Sequence, residues 1–268
     1  MKNNNHFLSV IVPIYKQENT IEKDLQNIDQ ILQQIRYDYE IIAIVDGITV
    51  DKSYQKAKKL KFKNLKVFGY QNNHGKGYAI RYGMAKTKGD YIAFIDSGME
   101  INPNGLSMVL EHMEWYNADI IVGSKQHPAS KINYPLDRRL VSFGGHLIAK
   151  FLLGINIHDT QAGLKIFKRQ VLIKVLPRLL IKNYAFDLEI LSVANYLGFK
   201  DIYEAPIKLT YDFKSLTHAT GIKIIYQCLI DALAVFYRLR ILHYYDNKNK
   251  RKWIYNPDLE MRVNTGKR

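Results

Sequence analysis

The chain has 268 residues, 47% hydrophobic and 24% charged, with a formal net charge of +14. That balance suits one α/β domain with a substantial core, or one domain plus an appendage, and excludes a disordered tail or a miniature scaffold. A single cysteine, Cys228, leaves no internal disulfide framework and no cysteine-based metal cluster, so a reducing compartment is the simpler reading. The positive surplus attracts an anionic partner: nucleic acid, acidic lipid or a phosphorylated substrate. No nucleic-acid recognition motif accompanies it, so nucleic acid is the weakest of the three. The opening stretch MKNNNHFLSVIVPIY lacks the apolar run and small-residue cleavage site of a signal peptide. No window of about 18 uncharged apolar residues occurs, so no membrane-spanning helix is expected.

In chain order, FLSVIVPIY reads as a strand, and ENTIEKDLQNIDQILQQI places Ile21, Leu25, Ile28, Ile31, Leu32 and Ile35 at helical spacing. EIIAIVDG is a second strand, DKSYQKAKKL a helix and LKVFGYQ a third strand. GYAIRYGMAKTKG is a helix stopped by Gly89, and DYIAFIDSG is a fourth strand. A helix over NPNGLSMVLEHMEWY and a fifth strand, ADIIVGSK, follow, beyond which the pattern is less regular. Continuous apolar runs alternating with helices imply a parallel sheet covered on both faces and built from right-handed βαβ units. Such a sheet gathers function at the carboxyl ends of its strands. The unusual residues fall there: Pro13-Ile14-Tyr15, Asp46-Gly47, residues 72–77, and Asp96 to Glu100.

Two later segments are amphipathic. In residues 137–153, Arg138, Ser142, His146 and Lys150 recur every four positions; in residues 221–245, Lys223, Gln227, Asp231 and Arg238 form a narrow polar stripe opposite a wide apolar arc. Each face needs its own domain, a partner or lipid to cover it. The expected organisation is a catalytic-type α/β domain over residues 1–215, an amphipathic helical segment over 216–246 and a basic tail over 247–268. From Asp246 onward the chain has seven basic and three acidic residues and is expected to be poorly ordered.

NNHGKGYAIRYG is the most specific local signal. Gly-Lys-Gly after a strand and opening a helix lets backbone approach a ligand and offers free amides for phosphate. It is neither a Walker loop, G-x-x-x-x-G-K-[ST], nor the dinucleotide G-x-G-x-x-G placed after a first strand.

The order VIVPIYKQENTI, EIIAIVDGITVDKS, NHGKGYAIRYGMAKTKGDYIAFIDSGMEINP, DTQAGLKIFKRQVL and FDLEILSVANYLGFKDIYEAPIKL resembles the family 2 inverting glycosyltransferases, across roughly residues 7–215. Within that family it looks most like the polyprenyl-phosphate hexose synthases of the dolichyl-phosphate mannose and glucose type. The resemblance implies the GT-A fold, a Rossmann-like, mostly parallel sheet with helices on both faces, followed here by the amphipathic helical segment. It implies a nucleotide-sugar donor, linked to GDP or UDP, and a polyprenyl or dolichyl phosphate acceptor. It further implies a divalent ion, Mg²⁺ or Mn²⁺, and work at the cytoplasmic membrane face, with room for an integral membrane partner supplying spans.

Carried over by motif, Pro13, Tyr15 and Glu18 would line the nucleotide pocket and Asp46 would accept hydrogen bonds from the base. Lys76 and Arg81 would pack beside the diphosphate, and Lys214 would sit on a basic loop closing over it. Asp96 matches the first carboxylate of the family's metal-binding DxD. Gly98 takes the place of the second, and Glu100, a hard oxygen donor four residues after Asp96, is the candidate second metal ligand. An alternative role for Glu100 is a carboxylate at a helix N-terminus. VDGIT likewise lacks one acidic residue of the usual DDGS. Asp159 and Gln161 of DTQAG fall on the acceptor side as candidate catalytic residues, with a strand-capping role for Asp159 as the alternative. Lys125, Arg138, Arg139 and Ser142 are the candidate ligands of the acceptor phosphate; the family's Arg after that Ser is Phe143 here. A saccharide hydroxyl acceptor in cell-surface glycan synthesis, and a non-catalytic relative, remain open on these departures.

Overall fold

The computed structural model describes residues 6–98, 101–130, 150, 152–182, 185–208, 226, 229–246 and 251–265. In chain order the elements are β1 (Phe7–Ile14), α1 (Ile21–Leu32), β2 (Asp38–Asp46), α2 (Ser53–Lys59), β3 (Leu65–Tyr70), α3 (Lys76–Ala85), β4 (Tyr91–Ile95), α4 (Gly105–Trp115) and β5 (Ile120–Ser124). Then come β6 (Leu164–Lys168), α5 (Arg169–Val175), α6 (Phe186–Tyr196), β7 (Ile202–Pro206), and the pair β8 (Trp253–Asn256) and β9 (Met261–Asn264).

Seven strands make one sheet in the order β3-β2-β1-β4-β6-β5-β7. Successive residues of a strand face opposite sides, and β1 shows the result. Val10 and Val12 join α1 (Ile21, Leu25, Ile28, Leu32) and α4 (Leu106, Val109, Leu110, Met113) on one face. Ile11 joins α3 (Ala79, Ile80, Met84) and α6 (Phe186, Ile190, Val193) on the other. Both faces are thus covered, which is why the strands read as unbroken apolar runs. Helix α3 lies so close that a Cβ on Gly83 would stand 2.7 Å from Ile11 Cγ2.

The sheet departs from the all-parallel expectation at one strand. β1 pairs in parallel with β2 and β4, and β5 with β7, but β6 runs antiparallel to both its neighbours, β4 and β5.

Beyond the sheet, residues 229–236 are helical and lead into a π-helical turn, Tyr237–Ile241. Ala232, Val235 and Leu239 enter the core while Leu233, Tyr237 and Ile241 stay exposed, so the domain covers only part of the apolar arc. The basic tail corrects its expectation: β8 and β9 pair as an antiparallel hairpin. Leu259 and Asn264 are buried, the Tyr244 hydroxyl donates to Asn264 O at 3.2 Å, and Asn264 Nδ2 returns a bond to Tyr244 O at 3.3 Å. Tertiary packing outweighs the charge of this segment. Most of the amphipathic residues 137–153 lie outside the described residues. Among the described residues no helix is long and apolar enough to cross a membrane.

Candidate functional site

A cleft of about 370 Å³ opens at the carboxyl ends of β1, β2 and β4, lined among others by Pro13, Tyr15, Asp46, Asn73, Lys76 and Asp96. It lies where parallel strands on either side of β1 are followed by diverging loops, the usual ligand position in such sheets. Five of the residues expected at a nucleotide therefore meet in one place.

Asp46, at the end of β2, is buried and fully engaged. Its carboxylate accepts from His74 N at 2.7 Å, Gly75 N at 2.9 Å and Asn73 Nδ2 at 3.0 Å. It therefore shapes the loop that delivers Lys76. Gly75 has φ of 92°, a left-handed conformation suited to glycine. The free amides expected around Gly-Lys-Gly are taken up by the protein: Gly75 N by Asp46, and Gly77 N by Lys182 O at 2.6 Å. A Cβ at Gly77 would meet Phe186 Cβ at 2.7 Å and Ile181 O at 2.9 Å. Gly77 is small because α6 and the segment before it press on α3.

Lys76 reaches across to β4. Its Nζ donates to Asp96 Oδ2 at 2.9 Å. The ammonium is as close to Oδ1 but off the hydrogen-bonding direction, and this buried oxygen accepts no hydrogen bond among the described residues. Asp96 N donates to Gly163 O at 3.0 Å, which pins the loop before β6 against the end of β4. Gly98 has φ of +94° and its N–H donates to Asp24 Oδ2 at 3.1 Å, so the position of the missing DxD carboxylate has a backbone that disfavours a side chain. Among the described residues no three His, Cys, Asp or Glu side chains converge as a metal site. Glu100 lies outside them, as do Arg138, Arg139, Ser142 and Lys214.

Behind Lys76 stand two residues that the motif reading left without a role. Asp187, near the start of α6, lies 3.5 Å from Lys76 Nζ and 2.7 Å from Nζ of Lys165 on β6. Lys165 is fully buried and also donates to Ala162 O at 2.5 Å. Burial pushes the Asp187 carboxyl up, but Lys165 and Lys76 outweigh it and hold the group below the usual carboxylate range. Burial lowers Lys76 too, yet Asp187 and Asp96 together raise it above an ordinary lysine. Burial lowers Lys165 further than Asp187 restores it.

The remaining candidates sit elsewhere. Glu18 is absent from the cleft lining; its Oε2 accepts from Lys52 N at 3.0 Å, at the start of α2. Tyr15 is 44% exposed at the rim. Arg81, within α3, is buried away from the cleft lining, its Nε without a hydrogen-bond partner among the described residues, and burial lowers its pKa despite the charge of Glu189. Asp159 is buried and clasps the end of β5: Lys125 N donates to its Oδ2 at 3.0 Å, and Lys125 Nζ is 4.0 Å away. Gln161 is exposed on the same loop. Sequence patterns signalled Asp187 only as part of FDLEIL and Lys165 only as part of DTQAGLKIFKRQVL, neither with a role, because a lysine in a strand reads as a surface position.

Comparison with known proteins agrees with this layout. Solved structures of a Mycobacterium tuberculosis glucosyl-3-phosphoglycerate synthase with UDP (TM-score 0.66, 18% identity, 87% of this chain and 80% of that one) and of a Rubrobacter xylanophilus mannosyl-3-phosphoglycerate synthase (TM-score 0.67, 14% identity, 94% and 82%) share the fold. A Dictyostelium discoideum protein named dolichyl-phosphate beta-glucosyltransferase is 28% identical over 72% of this chain and 64% of its own length. A Drosophila melanogaster protein of the same name is 30% identical over 71% and 63%, and a Pyrococcus furiosus dolichol-phosphate mannosyltransferase is 26% identical over 79% and 62%. The chain thus spans less than two thirds of the length of these three relatives. The family model described as Glycosyl transferase family 2 matches residues 9–176, more than half of the sequence, and with the motifs and the sheet this places the chain in glycosyl transferase family 2.

Proposed function

We propose that the chain is a metal-dependent inverting hexosyltransferase that carries a sugar from a GDP- or UDP-linked donor to a polyprenyl or dolichyl phosphate at the cytoplasmic face of a membrane. The observation that carries this reading is the pairing of the Asp96 carboxylate with the Lys76 ammonium, at 2.9 Å, in a cleft at the strand ends. The relatives named as dolichyl-phosphate sugar transferases support the acceptor class.

Pro13 and Tyr15 form one wall for a nucleoside, and Asp46 fixes the opposite loop. Lys76 presents a charge to the donor's diphosphate, where it stabilises the negative charge that grows as the leaving group departs. The Asp96 carboxylate, 39% exposed where it lines the cleft, offers hard oxygen to a cation, with Glu100 as the expected second carboxylate, and a bound Mg²⁺ or Mn²⁺ would neutralise diphosphate charge. A solved structure sharing the fold was obtained with Mn²⁺ and UDP-glucose. Attack of an acceptor phosphate oxygen on the anomeric carbon breaks the bond to the donor diphosphate and inverts that carbon. A phosphate monoester is largely dianionic at neutral pH, its second pKa lying at about 6, so the step requires little general-base help. A clasping Asp159 is compatible with that, with Gln161, Lys125, Arg138, Arg139 and Ser142 proposed to orient the acceptor and Lys214 to close over the donor. The exposed Leu233, Tyr237 and Ile241 and the +14 charge suit an anionic lipid surface.

The test is a panel of UDP- and GDP-sugars with Mn²⁺ or Mg²⁺, with and without undecaprenyl or dolichyl phosphate. Sugar transfer to the lipid is expected, chelator-sensitive and abolished by Asp96→Ala. Transfer to soluble saccharides alone, or full turnover in Asp96→Ala, would sink the assignment.

A further inference from the structure

We propose that the buried Asp187–Lys165 pair is the positioning unit of this site, fixing where the Lys76 ammonium stands and holding the loop of residues 159–163 against Asp96. This rests on the cleft being the donor site. Asp187 is the middle of a chain of charges: Lys165 Nζ at 2.7 Å on one side, Lys76 Nζ at 3.5 Å on the other, then Asp96 at 2.9 Å. Lys165 has a second contact, the Ala162 carbonyl at 2.5 Å, and the next residue, Gly163, accepts from Asp96 N. One buried pair thereby indexes three separate parts of the cleft, namely α3 through Lys76, β4 through Asp96 and the loop entering β6.

Neither Asp187 nor Lys165 lines the cleft, so neither would touch substrate. Stability alone does not account for them, because well-packed apolar residues commonly replace a buried ion pair at no loss. The fully buried Lys165 shares the Phe94 ring with Lys76, their ammonium groups lying 5.4 and 6.0 Å from its centroid. With Asp96 included, two ammonium groups and two carboxylates balance in charge, so the buried pair acts on the site by fixing where the Lys76 ammonium and the Asp96 carboxylate stand. Asp187 backs the Lys76 ammonium on the side away from Asp96, and Lys165 holds Asp187 in that place.

The test compares Asp187→Asn, Lys165→Met and the double variant. Three readouts are used: Tm, calorimetric titration of UDP and of GDP with Mn²⁺, and acetylation of Lys76 by acetic anhydride followed by mass spectrometry. Lys165→Met alone should lose stability, because it strips Asp187 of its closest counter-charge. The double variant should recover most of that Tm. It should nonetheless bind the preferred nucleoside diphosphate at least tenfold more weakly than the wild type and acetylate Lys76 several-fold faster. A double variant that regains Tm, nucleotide affinity and wild-type acetylation together makes the pair merely structural and overturns the proposal. The acetylation readout needs no nucleotide, so wild type that binds neither UDP nor GDP would count against the functional assignment, while unchanged Lys76 reactivity in the folded double variant counts against this one.

Discussion

At the end of β4 the tightest constraint comes from a residue with no side chain. A Cβ on Gly163 would lie 2.3 Å from Asp96 Oδ2 and 2.8 Å from its Cγ, a distance no packing tolerates. Gly163→Ala should therefore turn the Asp96 carboxylate away from Lys76. Activity should fall by at least tenfold and metal-dependent nucleotide binding should weaken, while circular dichroism at 25 °C stays near wild type. Gly98→Asp, which would rewrite the DxD, is expected to give no gain in kcat, since its φ of +94° opposes the new side chain. Pro13, Tyr15, Asp46, Lys76 and Asp96 were legible because each stands in a motif at a strand end, where the chain's own pattern announces a turn. Asp187 and Lys165 were not, because their meaning is a contact between residues brought together by the sheet and α6, and nothing within a local window distinguishes a buried lysine from an exposed one.

Helix α3 and strand β2 show how elements carry the site. Gly77, at the start of α3, packs against Phe186 and the Ile181 carbonyl, so Gly77→Ala should cost about 1–3 kcal/mol through overpacking and displace Lys76 with it, visible as a lower urea midpoint and a raised donor KM. At the other end of the sheet Glu40 accepts from Ser9 Oγ at 2.8 Å, Lys66 Nζ at 2.7 Å and Lys88 N at 2.7 Å, joining β1, β2, β3 and the turn before β4. Burial pushes its carboxyl up, but these donors bring the group below the ordinary glutamate value. A lowered folded-state pKa contributes stability above the unfolded value of about 4.3 and loses it as the pH falls through the folded one. Glu40→Gln should thus flatten the fall of Tm between neutral pH and pH of about 3, and an unchanged slope would assign acid sensitivity elsewhere. The first five strands and their helices were readable from unbroken apolar runs and 3.6-residue spacing. The direction of β6 was not: LKIFK has no feature that depends on whether its neighbours run with it or against it.

Over the whole molecule, the C-terminal segment fastens the face that carries α3 and α6. The Tyr245 hydroxyl donates to buried Glu189 at 2.8 Å, Arg178 Nε donates to Tyr245 O at 2.9 Å, and Lys86 pairs with Glu260. Glu189 also accepts from Ile181 N at 2.9 Å, at the segment that caps Gly77. Burial raises the Glu189 pKa despite these donors. Deleting residues 247–268 should lower Tm by several degrees by removing buried Leu259 and the Tyr244–Asn264 bonds, and an unaltered Tm would show the hairpin to be an ornament. Its order escaped the sequence reading because seven basic residues resemble a solvated tail, whereas only a few apolar and aromatic side chains decide its docking.

The clasp between Lys125 N and Asp159 Oδ2 has a wider consequence. It closes the neck of an excursion that leaves the rim after β5 and, because β6 runs against its neighbours, re-enters the sheet at that same rim. Lys125 directly follows β5 and Asp159 lies on the short run into β6, so the ends of the excursion are held together whatever the sequence between them, and lengthening it adds only a slowly growing closure entropy. On the proposed function the donor half is built into the strand ends, while the acceptor is assigned to the stretch whose ends this clasp joins. The proposed function then makes acceptor preference an exchangeable part: a segment from a relative with a different acceptor, grafted between positions 125 and 159, should change what receives the sugar and leave donor choice intact.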